Sequence, residues 1–184
     1  MARYRATVTT DWSPQQTFAY MANFANSAEW DPGVVSAEEL TDNPLRVGAR
    51  FDLVAAVLGR EIDLTYETVE LETPRRVVLR AESGTVVSLD EMTFEPTAND
   101  GTALTYYADL RMKGALRVAD PLLRLAFRRI GDQARDGITA RLAESAPIAP
   151  SRAEGHRNGQ VQGDAMTGGG AGSNGHSGPE AHAR

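Results

Sequence analysis

The run DPLLRLAFRRIGDQARDGITARLAE, Asp120 to Glu144, decides how the rest of the chain must be arranged. Asp120 is a helix-capping residue type, and Pro121 suits a first turn, where the missing N–H is not needed. Behind them Leu122, Leu123, Ala126, Phe127, Ile130, Ala134, Ile138 and Leu142 recur at spacings of three and four. That is one apolar stripe along a long helix. Arg124, Arg128, Asp132, Arg135, Asp136 and Arg141 occupy much of the opposite side. Burial of the stripe contributes on the order of 10–20 kcal/mol before chain entropy is subtracted. An apolar face of this length needs a sheet or other helices to cover it.

Upstream, the pattern is that of a sheet. Tyr4, Ala6, Val8 and Thr10 alternate with Arg3, Arg5, Thr7 and Thr9, a half-buried first strand. Ser13-Pro14-Gln15-Gln16 has the form of a capping box and opens a helix with Phe18, Met21, Ala22 and Ala25 on its apolar side. A second short helical piece reaches Trp30, and Asp31-Pro32-Gly33 ends it. Ser36 to Glu39 fits a further capping box, while Val34 to Leu40 fits a short strand. The strand is preferred, because the stretches that follow are β. These are Val47 to Leu58, Glu61 to Glu72, Arg76 to Glu82, Thr85 to Glu95 and Thr102 to Lys113. Gly59-Arg60, Thr73-Pro74, Ser83-Gly84 and Asn99-Asp100-Gly101 separate them, and connections so short make an antiparallel meander.

Composition excludes several kinds of chemistry. The 184 residues carry a formal charge of −6, which argues against a general nucleic-acid binder. Cysteine is absent, so no disulfide, thiol nucleophile or Cys-ligated metal is available. No apolar run is long enough to span a bilayer, and the chain opens directly on an alternating pattern; a soluble cytoplasmic protein without membrane insertion is expected. His156, His176 and His182 all lie near the C-terminus, which removes any His-centred triad or metal cluster from the folded part. No cofactor and no metal are expected.

Residues 1–146 read as one domain and 147–184 as a disordered Gly-, Ser-, Asn- and Ala-rich tail, too poor in large apolar residues to build a core. Within that tail Gly170 to Gly175 matches a dinucleotide fingerprint by letter, but it follows no strand and opens no helix.

A family resemblance rests on several stretches. They are Ser13-Pro14, Phe18 to Trp30, Asp31-Pro32-Gly33-Val34-Val35, Gly48 with Phe51, Thr73-Pro74-Arg75-Arg76-Val77, Gly101-Thr102, and Lys113-Gly114 to Arg128. From Ala2 to about Ala146 the chain resembles the START/polyketide cyclase/Bet v 1-like superfamily (SRPBCC), and within it the bacterial polyketide cyclase/dehydrase-like branch. The resemblance implies an α+β, helix-grip domain. In it a seven-stranded curved antiparallel sheet wraps around the long C-terminal helix, two short helices follow the first strand, and an apolar cavity lies between sheet and helix.

Strand parity then nominates the residues facing that cavity: Phe51, Leu53, Leu64, Tyr66, Met92, Tyr106, Leu110 and Met112. Leu123, Phe127, Ile130 and Ala134 join them from the helix. The same set also fits a dry core, since ligand cavities are themselves mostly apolar. Trp30 either gates the mouth or staples the short helices. Gly131 either leaves room for a ligand or permits close helix–sheet contact. Asp90 shares parity with Ser88, Met92 and Phe94; facing inward it becomes a candidate general base with a raised pKa, and on the opposite parity it is merely solvated. Tyr66 and Tyr106 are the polar handles of the inner set.

The superfamily hosts carriers, cyclases and interaction modules, so fold alone does not choose an activity. The sequence reading ranks binding of a small hydrophobic or amphipathic ligand first (a lipid, polyketide or isoprenoid). A polyketide cyclase, aromatase or dehydratase comes second, and a regulatory protein-interaction module third. Oligomeric state is not fixed by the sequence.

Overall fold

The computed structural model describes residues 2–57, 59–114 and 120–146, with the backbone alone at 57 and 120–126. The expected tail over 147–184 and its three histidines lie outside the described residues. Strand β1 (Ala2–Thr10) leads into helix α1 (Pro14–Ala22), a single 3-10 turn (Phe24–Asn26) and the short helix α2 (Ser27–Trp30). Six strands follow: β2 (Val34–Glu39), β3 (Arg50–Val57), β4 (Arg60–Glu72), β5 (Arg76–Glu82), β6 (Val86–Pro96) and β7 (Thr102–Met112). Helix α3 (Asp120–Leu142) closes the fold. Val34–Glu39 is thus a strand, and the capping-box reading of Ser36 gives way.

All seven strands form one antiparallel sheet in the order β1-β7-β6-β5-β4-β3-β2. Register shifts between Val34 and Ser36 and between Thr68 and Glu70 add local bend, as β-bulges do. The expected alternation appears on β6, where Val86, Ser88, Asp90, Met92 and Phe94 are all buried, and on β7, where Leu104, Tyr106, Ala108 and Leu110 are. This is the α+β helix-grip architecture. Among the described residues no helix is long and apolar enough to cross a membrane.

The capping box at the start of α1 forms as read: Ser13 Oγ accepts the Gln16 N–H, and Gln16 Oε1 accepts the Ser13 N–H. Helix α1 then seals one end of the concave face, with Phe18 edge-on to Phe94 of β6 at 5.2 Å between ring centres. The C-terminal half of α3 is fixed over the same end. Thr10 Oγ1 donates to the Leu142 carbonyl at 2.7 Å, and Trp12 Nε1 donates to the Glu144 carbonyl at 2.7 Å, so side chains satisfy carbonyls that a helix end leaves open. The Arg141 guanidinium lies over the Tyr20 ring, 4.7 Å from its centre, and bonds Glu29 Oε2.

Helices α2 and α3 meet backbone to backbone. A Cβ built on Gly137 would stand 1.9 Å from the Trp30 carbonyl oxygen, so only glycine allows this approach. Alanine adds about 1 kcal/mol of helix propensity. Here Gly137→Ala should nevertheless destabilise by about 2–4 kcal/mol in urea denaturation, because main chain rather than a flexible side chain must move. A variant more stable than the parent would contradict the contact.

Candidate functional site

A boundary crosses the concave face of the sheet. On one side Phe51, Met92, Phe94 and Leu104 are packed to at most 2% exposure under α1 and the 3-10 turn. On the other side, towards the β3–β4 and β5–β6 hairpins, alanines and a few polar side chains interrupt the large apolar ones and a cavity of about 700 Å³ remains. Its sheet wall is built from Leu53 and Ala55 of β3, Ile62, Leu64 and Tyr66 of β4, Ser88 and Asp90 of β6, and Tyr106, Ala108 and Leu110 of β7. Helix α3 contributes Phe127, Ile130, Gly131 and Ala134. The stretch around α2 adds Phe24, Ser27, Trp30 and Asp31, while Arg60, Glu61 and Asp63 stand at the hairpin end, exposed.

Polar groups collect at one part of this wall. Asp90 is 3% exposed and accepts hydrogen bonds from Tyr106 Oη at 2.5 Å and from Ser88 Oγ at 3.2 Å. Burial pushes its carboxyl above the usual range, and the hydroxyls of Tyr106, Tyr66 and Ser88 oppose that shift. Tyr66 faces the same Ser88–Asp90 pair. Both phenols are pushed well above their ordinary value, by burial first and by the Asp90 charge next.

Asp31 is the second carboxyl. Its Oδ1 takes the Gly33 N–H at 2.8 Å in a turn that also places it on the cavity wall. Burial raises its pKa from 3.8 to about 6, the Gly33 N–H works against the rise, and the Asp90 charge adds to it. Ser27 Oγ and Trp30 Nε1, in the same wall, are buried without a hydrogen-bond partner among the described residues. An orphaned donor of this kind costs about 1–3 kcal/mol. The described residues bring no group of three His, Asp or Glu side chains together for a metal.

The structure sorts the residues nominated from sequence. Trp30, Leu53, Leu64, Tyr66, Tyr106 and Leu110 line the cavity, as do Met112, Phe127, Ile130 and Asp90. Phe51 and Met92 do not, which corrects their nomination. They have the inward parity but sit on the sealed side of the boundary, Phe51 against Phe24 with ring centres 6.4 Å apart and Met92 beside Val77 at 0% exposure. The Leu123 side chain lies outside the described residues.

Trp30 is 1% exposed, packed edge-on to Tyr106 at 5.9 Å between ring centres; it is a wall and a staple rather than a gate at the mouth. Gly131 resolves as close contact: a Cβ there would stand 2.3 Å from Cγ of Tyr4, whose ring occupies the space. Sequence reasoning passed over Asp31, Ser27 and Tyr4. The signal for Asp31 was present, since an Asp two residues before Gly is suited to accept that N–H.

Comparison with known proteins places this geometry. The family model described as "Polyketide cyclase / dehydrase and lipid transport" matches residues 1–143. A START superfamily protein from Mycobacterium smegmatis superposes with a TM-score of 0.64 at 12% identity, covering 77% of this chain and 97% of that one. A Thermus thermophilus protein gives 0.63 at 15% identity, covering 76% and 96%. The Zhui aromatase/cyclase from a Streptomyces species gives 0.61 at 14% identity, covering 76% and 90%. At such identities the likeness is one of fold. No curated protein sequence matches the chain.

The Asp31 shift has a consequence for stability. The folded chain holds this proton up to about pH 6, whereas the unfolded chain releases it near 3.8. The group therefore favours the folded state in acid, and that contribution is lost as pH rises from about 4 through about 6. Asp31→Asn keeps an acceptor for the Gly33 N–H and removes the charge. It should be more stable than the parent by about 1–3 kcal/mol at pH 7.5, the difference closing by pH 4. Denaturation across that range checks this, and parallel profiles for parent and variant would contradict it.

Proposed function

We propose, for a chain that belongs to the polyketide cyclase/dehydrase and lipid transport family, that the hollow between sheet and α3 binds a small hydrophobic or amphipathic molecule of lipid, polyketide or isoprenoid type. The observation that carries this reading is a cavity of about 700 Å³ with a largely aliphatic and aromatic wall and a few convergent polar groups. Ligand sites are typically about 300–1,000 Å³ and of that mixed character. Leu53, Leu64, Leu110, Met112, Phe127 and Ile130 supply apolar contact in this reading, and Trp30, Tyr66 and Tyr106 supply the aromatic floor. Asp90 orients the polar part of the ligand through the Tyr106 and Ser88 hydroxyls that it holds.

A second reading, a cyclase- or dehydratase-type reaction, is favoured by one observation: Asp31, with a pKa of about 6, stands in the cavity wall with the two phenols. A carboxyl poised near neutrality is suited to take a proton from a carbon next to a carbonyl, while a tyrosine O–H supports that carbonyl. Binding is ranked first because it needs only the hollow.

Native mass spectrometry of the freshly purified chain should find a copurifying small molecule, and an uncharged fluorophore such as N-phenylnaphthylamine should bind saturably. Ala55→Trp, which fills the cavity from β3, should weaken the fluorophore by about tenfold or more while circular dichroism stays that of the parent. Unchanged affinity in that variant, or no saturable binding by the parent, would remove the reading.

A further inference from the structure

The walls of the cavity carry more information about the ligand than its volume does. Asp31 comes from the loop after α2 and Asp90 from the middle of β6, so two carboxyls distant in sequence share one wall. Asp31 commits only Oδ1, to the Gly33 N–H; Oδ2 accepts no hydrogen bond from a described residue. The charged residues at the hairpin end, Arg60, Glu61 and Asp63, are exposed, so no described cation among the wall residues lies at this inner part. A separate observation points to a ligand at the same place. Ser27 and Trp30 are 0% and 1% exposed, and their Oγ and Nε1 atoms have no partner among the described residues.

We propose that this inner wall receives the head of an amine-bearing amphiphile, with an oxygen next to the nitrogen, and that it discriminates against carboxylates. The inference rests on the binding reading above and narrows its ligand class. An ammonium group brought to Asp31 and Asp90 meets two acceptors in a poorly hydrated site, where opposite charges attract far more strongly than in water. A carboxylate at the same place meets like charge from both sides and finds no described counter-ion. The neighbouring oxygen, as in an amino alcohol or amino ketone, gives the orphaned Ser27 and Trp30 donors something to bond. The apolar body then lies along Leu53, Leu64 and Phe127.

The test compares decylamine, 2-aminodecanol, decanol and decanoate at neutral pH, each displacing N-phenylnaphthylamine from the full chain. Decylamine should compete at a concentration lower than decanoate by about tenfold or more, with decanol between them and the amino alcohol at least as tight as the amine. Asp31→Asn, which keeps the Gly33 hydrogen bond, should shrink the amine-to-carboxylate ratio to about threefold or less, read as a ratio within the variant while circular dichroism stays that of the parent. Asp90→Asn offers the same readout from the other carboxyl. Decanoate binding as tightly as decylamine, or a ratio unchanged in both variants, overturns the inference and leaves the cavity reading standing. A parent that binds neither the fluorophore nor any of the four overturns the cavity reading, and this inference with it.

Discussion

The backbone contact between Gly137 of α3 and the Trp30 carbonyl fixes how closely the long helix lies on its neighbours. With that approach set, the bonds from Thr10 to the Leu142 carbonyl and from Trp12 to the Glu144 carbonyl just beyond α3 hold the C-terminal end of the helix over the sealed side of the sheet. Large side chains fill that side: Phe18, Met21, Phe51, Met92 and Leu104 are essentially inaccessible. Under the other part of α3 the wall includes Ala55, Ala108 and Ala134, too small to meet across the gap. A hollow follows from that difference in side-chain size on a single continuous face. Interiors are otherwise packed as densely as organic crystals, so a void of about 700 Å³ is not ordinary slack.

The polar cluster sharpens the point. Carboxyls, phenols and an indole N–H are costly to bury, and a protein that needed only a core would fill these positions with aliphatic side chains. Asp90 is satisfied by Tyr106 and Ser88, whereas among the described residues Asp31 finds a partner for Oδ1 alone and the Ser27 and Trp30 donors find none. Of the four buried side-chain atoms without a partner among the described residues, two, Ser27 Oγ and Trp30 Nε1, belong to the cavity wall; Glu39 Oε1 and Thr68 Oγ1 lie outside it. The two carboxyls and two phenols that share the cavity wall are the common basis of the binding and catalytic readings.

Much of the fold was legible because strand parity and helix spacing are local properties. The apolar stripe of Asp120–Glu144, the capping box at Ser13 and the alternation along β6 and β7 each specify an element and a face. Parity does not say how far along a strand a residue sits. Phe51 and Leu53, or Met92 and Asp90, have the same parity but fall on opposite sides of the boundary that α1 draws. That boundary depends on where a distant helix lands, and no local pattern encodes it. Asp31 was overlooked for a related reason: Asp-Pro-Gly reads as a chain break, and only the tertiary fold turns that break towards the cavity. Gly131 illustrates the converse, a missing side chain whose space is taken by Tyr4 from the first strand, 127 residues earlier by numbering.

Ligand binding in the hollow requires an apolar, accessible space there. Diffraction from a crystal of the protein pressurised with xenon tests that directly, because xenon occupies apolar voids without needing any particular ligand chemistry. Xenon density is expected among Leu53, Leu64, Leu110 and Phe127, with the side chains of Phe51 and Met92 undisturbed. A crystal in which those first four side chains meet one another and no xenon enters would contradict ligand binding there.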